Sequence, residues 1–293
     1  MTFDSGNRAT HIGVAGAGAM GSGIAHVFAR SGFSVTLCDF AEGALDRAAA
    51  TIAENLGREV HRGAITEQER AAAIARIRGS AKLDSLAHCA IAIEAIHERF
   101  EAKRKLFEEL DRILPQDSIL ASNTSSISIT RLAGVTSRPD RVIGMHFFNP
   151  VPIMTLVEVV RGIETSDETA RAVVSLVEQL GKTPVEVNDS PGFVSNRVLM
   201  PLLNEAMFAL MEGVASAESI DTVFKLGMAH PMGPLTLADF IGLDVCLDIL
   251  RVLVEETGDA KYRPCPLLVR MVSAGWLGRK TGKGFYTYPD SRA

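Results

Sequence analysis

From His11 onward, short apolar runs alternate with longer stretches of helix-forming residues. The runs are Ile12–Ala15, Ser34–Cys38, Ala90–Ala95, Ser118–Ala121 and Val142–Phe147, and the stretches between them include Ala41–Val60, Glu67–Ile77 and Phe100–Leu114. Such alternation predicts a doubly wound, mostly parallel α/β sheet whose crossovers are right-handed. Two further β-like runs, Leu156–Val160 and Pro184–Val187, flank a helical segment over Asp167–Leu180. One connection is long: roughly 50 residues separate the run ending near Asp39 from the one near Ala90, where a single crossover needs about a dozen or more. The excess predicts a helical pair with a turn at Arg62-Gly63, projecting from the sheet and available to grip a ligand or a neighbour. Past Asn188 the pattern changes. Asp189-Ser190-Pro191-Gly192 is a turn and helix-start signature. Helices are expected over Phe193–Met211, Ser219–Leu226, Leu235–Glu256 and Pro266–Ala274, with nothing strand-like among them. The expected organisation is a sheet domain over 1–188 and an all-helical domain over 189–293.

Composition narrows the classes. The 293 residues are 47% hydrophobic and 22% charged, an ordinary globular balance, and enough to bury a core without disulfides or a structural metal. The formal charge of −5 argues against a nucleic-acid binder, which would carry a basic excess. A polyanionic small ligand is allowed only through local basic residues. Cys38, Cys89, Cys246 and Cys265 are scattered without a Cys-x-x-Cys pair, so neither a zinc site nor a disulfide framework is expected. Reduced thiols suit a cytoplasmic location. Met1 to Thr10 is polar and carries no apolar signal core. The most apolar helical stretch, Val198 to Ala217, contains Asn204, Glu205 and Glu212, which makes a poor membrane span.

The first run leads into Gly16-Ala17-Gly18-Ala19-Met20-Gly21, and a helix of small and apolar residues follows. Placed between strand and helix, this G-x-G-x-x-G is the dinucleotide fingerprint of a Rossmann-like domain. Gly16 serves the tight turn, Gly18 the approach of a pyrophosphate, and Gly21 the packing of helix on strand. The N–H groups at the start of that helix, around Ala19 and Met20, face the phosphates. Asp39 ends the second run, where a carboxylate accepts from both ribose hydroxyls and repels a 2′-phosphate, favouring NAD over NADP. The alternative is that Asp39 merely caps the next helix.

Ligands of open parallel sheets bind beyond the carboxyl ends of the strands. After the fourth run stands Ser122-Asn123-Thr124-Ser125-Ser126, and the fifth runs into Met145-His146-Phe147-Phe148-Asn149-Pro150. Leu156-Val157-Glu158-Val159-Val160 then places one carboxylate in an apolar strand. Singly, each has a structural explanation: a helix cap, a satisfied histidine, a solvent-facing glutamate. Together they supply what alcohol oxidation by NAD requires. His146 can act as base, because imidazole titrates near neutrality. Glu158 can hold its other nitrogen, and Ser125 can bond the reacting oxygen.

On these motifs the chain resembles the 3-hydroxyacyl-CoA dehydrogenase family. Asp189-Ser190-Pro191-Gly192-Phe193-Val194-Ser195-Asn196-Arg197, Gly227–Asp239 and Lys280-Thr281-Gly282-Lys283-Gly284-Phe285-Tyr286 carry the likeness nearly to the end. The resemblance implies reversible NAD-dependent oxidation of a short-chain (S)-3-hydroxyacyl-CoA, such as 3-hydroxybutyryl-CoA, to the 3-oxoacyl-CoA. It implies His146 as base with Glu158 as its partner, and Ser125 and Asn196 on the substrate. Asp39, Glu98, Lys103, Ser125, Asn149 and Lys280 are then expected at NAD. Asn55 and Arg62 fall where family members contact CoA, with arginine standing here in place of lysine, so charge is kept while geometry changes. The family also implies a homodimer formed through the helical domain. Two other readings stay open. One is a dehydrogenase of a free hydroxy acid or of a functionalised acyl-CoA such as 3-hydroxyadipyl-CoA. The other is a dinucleotide-binding protein without catalysis.

Overall fold

The computed structural model describes residues 10–288. The polar opening stretch before Thr10, expected to lack a signal core, lies outside the described residues, as do residues 289–293. The chain divides into two compact units, Met1–Asp189 and Ser190–Ala293.

In the first unit β1 (His11–Ala15), β2 (Ser34–Cys38), β3 (Ile77–Ser80), β4 (Ile91–Glu94), β5 (Ile119–Ser122), β6 (Val142–Phe147), β7 (Leu156–Arg161) and β8 (Thr183–Asn188) form one sheet. Their order is β3-β2-β1-β4-β5-β6-β7-β8. The central strands are buried at nearly every position because helices cover both faces, which is why they read as continuous apolar runs. Helices α1 (Ala19–Arg30), α2 (Ala44–His61), α3 (Glu67–Ala75), α4 (Phe100–Ile113), α5 (Ile129–Ala133) and α6 (Asp167–Gln179) complete the unit. Ile12, Val14, Ile24, Phe28, Val35, Leu37, Ile93 and Ile119 are among the side chains of its core.

Three features depart from the sequence pattern. First, β3 lies inside the long connection and pairs in parallel with β2, from Val35↔Ile77 to Cys38↔Ser80. Its sequence, Ile-Arg-Gly-Ser, has one apolar residue; an edge strand held by backbone bonds leaves no apolar run to read. Second, the helical pair is anchored on α1 along one face of α2. The stripe Ala44, Ala48, Ile52 and Leu56 of α2 is buried in the core that also takes Ala25 and Phe28 of α1. Gly63 at φ 70° makes the turn after α2, and a Thr66–Glu69 capping box starts α3. Third, β7 runs antiparallel to β6. Residues 148–155 are too few for a crossover of about a dozen residues, so the chain turns straight back.

The second unit consists of α7 (Ser195–Met211), α8 (Ala217–Thr222) running into a π turn at Val223–Gly227, α9 (Pro234–Ile241), α10 (Leu243–Thr257) and α11 (Pro266–Ser273). The single helix expected over Leu235–Glu256 is two, broken at Gly242, whose φ of 107° suits a residue without a Cβ. Met200, Leu203, Met207, Leu247, Leu250 and Leu268 contribute to its own core. Within that core Asn204 donates to Arg263 O and accepts from Cys265 N. Among the described residues no helix is long and apolar enough to cross a membrane.

Candidate active site

The glycine loop shows why each glycine stands where it does. A Cβ on Gly16, at φ +108°, would lie 2.5 Å from Ala95 O, and one on Gly21 would lie 1.8 Å from Gly16 O. Neither could be built without moving backbone. At Gly18 a Cβ would meet no protein atom within 4 Å, so nothing in the chain itself demands glycine there. Gly18 is also the N-cap of α1, with no side-chain hydrogen bond to the helix start and no acidic residue in the first turn. An open cradle at an uncapped helix N-terminus fits an anionic group bound by backbone N–H of Ala19 and Met20. Beside it lies a cavity of about 500 Å³ lined by residues that include Gly16, Gly18, Asp39, Phe40, Ile96 and Leu106. Asp39 Oδ2 accepts from Ala17 N at 2.7 Å, and Oδ1 accepts from Ala41 N at 2.8 Å. The carboxylate thus braces the glycine loop and the turn after β2, with lone pairs left for a ribose. These residues fit NAD.

The serine-rich loop leaves the end of β5. One carboxylate organises it: Glu98 Oε1 accepts from Thr124 Oγ1 at 2.5 Å, Ser125 N at 2.8 Å and Ser126 N at 3.1 Å. Lys103, expected at NAD, is 1% exposed. Its ammonium reaches Glu94 Oε1 at 2.6 Å and Glu98 Oε2 at 3.0 Å. Burial pushes the Glu94 carboxyl above its ordinary value despite Lys103. Burial also pushes Glu98 up, but the Lys103 charge and the hydrogen bond from Thr124 bring it below the ordinary value.

The antiparallel pairing of β6 and β7 sets His146 directly opposite Glu158. Cross-strand neighbours stand about 5 Å apart at Cβ, and here Nδ1 and Oε2 are 2.7 Å apart. Both side chains are buried. Asn123, to which no role was given above, accepts Phe147 N at 2.9 Å on Oδ1, tying the serine-rich loop to the residue after His146. The signal for it was its place in that polar run. Asn149 is exposed in the loop that follows.

The helical pair carries a basin of about 550 Å³ lined by Gly57, Arg58, His61, Arg62 and Arg70, among others. Arg62 is exposed at the end of α2, and Asn55 is half-buried on the same helix, outside the lining. Asn196 and Lys280 belong to the helical unit. Asn196 is buried in the first turn of α7, and Lys280 Nζ pairs with the Asp244 carboxylate at 2.6 Å.

A G-x-G-x-x-G loop entering a doubly wound sheet, with a histidine–carboxylate pair at the strand ends, defines a nicotinamide-linked dehydrogenase. Residues 11–190 match the model of the 3-hydroxyacyl-CoA dehydrogenase NAD-binding domain, and residues 192–288 match that of the family's C-terminal domain. This chain belongs to the 3-hydroxyacyl-CoA dehydrogenase family. It is 57% identical over 279 residues to a probable 3-hydroxybutyryl-CoA dehydrogenase of Bacillus subtilis, covering 95% of this chain and 97% of the relative. It is 54% identical over 281 residues to the 3-hydroxybutyryl-CoA dehydrogenase of Bradyrhizobium diazoefficiens, covering 96% of each. The crystal structure of (S)-3-hydroxybutyryl-CoA dehydrogenase from Ralstonia eutropha superposes with a TM-score of 0.94 at 51% identity, over 96% of this chain and 100% of that one.

Proposed function

We propose that this enzyme interconverts (S)-3-hydroxybutyryl-CoA and acetoacetyl-CoA, with His146 as general base and acid. The observation that carries the reading is the His146–Glu158 contact at 2.7 Å, beside the serine-rich loop. With Nδ1–H donating to Glu158, Nε2 carries the lone pair and can take the hydroxyl proton. The buried carboxylate holds the ring in that tautomer and offsets the charge of the imidazolium that forms. Ser125 and Asn196 hold the substrate oxygens as negative charge develops there. NAD, when bound, supplies the hydride acceptor. Gly16, Gly18 and Gly21 would hold its pyrophosphate and Asp39 its adenosine ribose, and Glu98, Ser125, Asn149 and Lys280 would be its further contacts. Lys103 serves NAD through Glu98, since its own ammonium is already enclosed by acceptors.

The anionic end of CoA lies along α2, at Asn55 and Arg62, where Arg58, His61 and Arg70 add positive charge. Residues 1–188 form the NAD-binding domain, and residues 189–293 the substrate and dimerisation domain. Val198, Leu226 and Phe240, all more than half exposed there, suit a homodimer. The four cysteines are free and buried, which suits a cytoplasmic home.

The test is the loss of NADH absorbance with acetoacetyl-CoA, repeated with NADPH and with free acetoacetate. Turnover of the CoA ester with NADH alone is the expected result. Equal turnover of free acetoacetate would overturn the CoA assignment, and turnover confined to a dicarboxylic acyl-CoA would move the substrate to a functionalised tail.

A further inference from the structure

Glu94 closes β4, a strand buried at all four positions, and is itself 0% exposed. An apolar side chain would sit in such a strand with no charge to desolvate, and buried ion pairs seldom stabilise more than apolar residues of the same volume. What Glu94 holds is therefore informative. Its Oε2 accepts from Ser122 Oγ at 2.5 Å, and that oxygen in turn accepts from Thr124 N at 3.1 Å. Its Oε1 accepts from Lys103 Nζ, and Lys103 reaches Glu98, on which Thr124, Ser125 and Ser126 converge. Its own carbonyl accepts from Asn123 N at 2.8 Å. One carboxylate thus grips the serine-rich loop at its start through Ser122 and, through a buried cation and a second carboxylate, at its far side.

We infer that Glu94 is a positioning residue: the tether Glu94–Lys103–Glu98 sets the loop that presents Ser125 and, through Asn123, fixes the backbone beside His146. The catalytic part of this inference rests on the function proposed above; the tether itself does not. Glu94→Gln keeps the shape and removes the charge, so Lys103 is left with a single anion and draws Glu98 away from the loop.

Three measurements on the whole chain test it: kcat and KM with acetoacetyl-CoA, NADH binding stoichiometry, and amide exchange at Ser125 and Ser126. In Glu94→Gln, kcat is expected to fall about 10- to 100-fold, the scale of a small misplacement of a reacting group. KM for acetoacetyl-CoA should move far less. One NADH should still bind per chain, and the two amides should exchange about tenfold faster or more, against unchanged exchange in β1 and β2. Glu94→Gln/Lys103→Met should be no slower than Lys103→Met alone, as expected for two links of one chain. Ser122→Ala cuts the other end of the tether without touching an ion pair and should lower kcat in the same sense, including where Glu94→Gln does not fold. Unchanged exchange at Ser125 and Ser126, multiplicative losses in the double variant, or a kcat loss matched by lost NADH stoichiometry would overturn the inference. Faster exchange in the variant, with a wild type inert towards acetoacetyl-CoA, would leave the tether standing and remove the proposed substrate.

Discussion

At the scale of single residues, two carboxylates do different work with similar chemistry. Glu158 meets the His146 imidazole at Nδ1, so replacing either partner is expected to stop proton transfer without emptying the cofactor site. His146→Gln should lower kcat by about 10²–10⁴ with NADH binding retained by fluorescence titration, and Glu158→Gln should fall within that range. Unchanged turnover in His146→Gln would remove it as the base. Asp39 instead braces the glycine loop on one side and the turn after β2 on the other. Asp39→Ala frees two N–H groups and one repulsive charge, so KM for NADH should rise about tenfold while the gap to NADPH narrows. Comparative kinetics with the two cofactors reads both effects. The glycines, the serine run, His146 and Glu158 were all legible along the chain because each sits in a contiguous motif. The buried tether behind the serine run was not. Glu94 is a lone acid in an apolar run, and its link to Lys103, nine positions later, exists only once α4 lies against β4.

Elements explain what the periodicity hid. β3 has too little apolar character to announce itself, and Gly242 sits within a helical pattern that continues on both sides. The descent of α2 onto α1 is visible only as the Ala44-Ala48-Ile52-Leu56 stripe. That junction carries a pH dependence. His26 of α1 is 1% exposed, and its Nε2 lies 3.0 Å from Glu59 Oε1 of α2. Arg30 also binds Glu59, at 2.8 Å, and no partner meets His26 Nδ1 among the described residues. Burial lowers the His26 pKa below its ordinary 6.5, against the pull of Glu59 and with help from Arg30 and Lys182. The unfolded chain therefore takes up this proton first. Stability is expected to hold above about pH 6.5 and to decline as pH falls from there towards the lowered folded value. His11, also lowered by burial and by His88, adds in the same direction. Urea midpoints between pH 7 and pH 5 should show this slope, and a shallower one in His26→Gln; an equal slope in the variant would place the titration elsewhere.

For the whole molecule, the two units hold separate apolar cores, and the glycine loop belongs to the first. NADH at a hundred times its dissociation constant should raise stability by about 2.7 kcal/mol. The slowed amides should centre on β1, β4 and β5; slowing confined to α9–α11 would contradict the placement of the cofactor. That alternating runs give way to helices after Asn188 could be read from pattern alone, because strand and helix periods differ. The reversal of β7 could not, since an apolar run carries no direction. That reversal has a consequence for how the gene tolerates length change. His146 and Glu158 share a face only while the two strands stay in step, and along a strand every added residue exchanges the faces. A library of single-residue insertions across 142–161 should therefore separate sharply. Insertions at 152–155, in the turn, should preserve turnover, and those inside either strand should abolish it. The border between the living and the dead clones would mark the strand ends without any structure being determined.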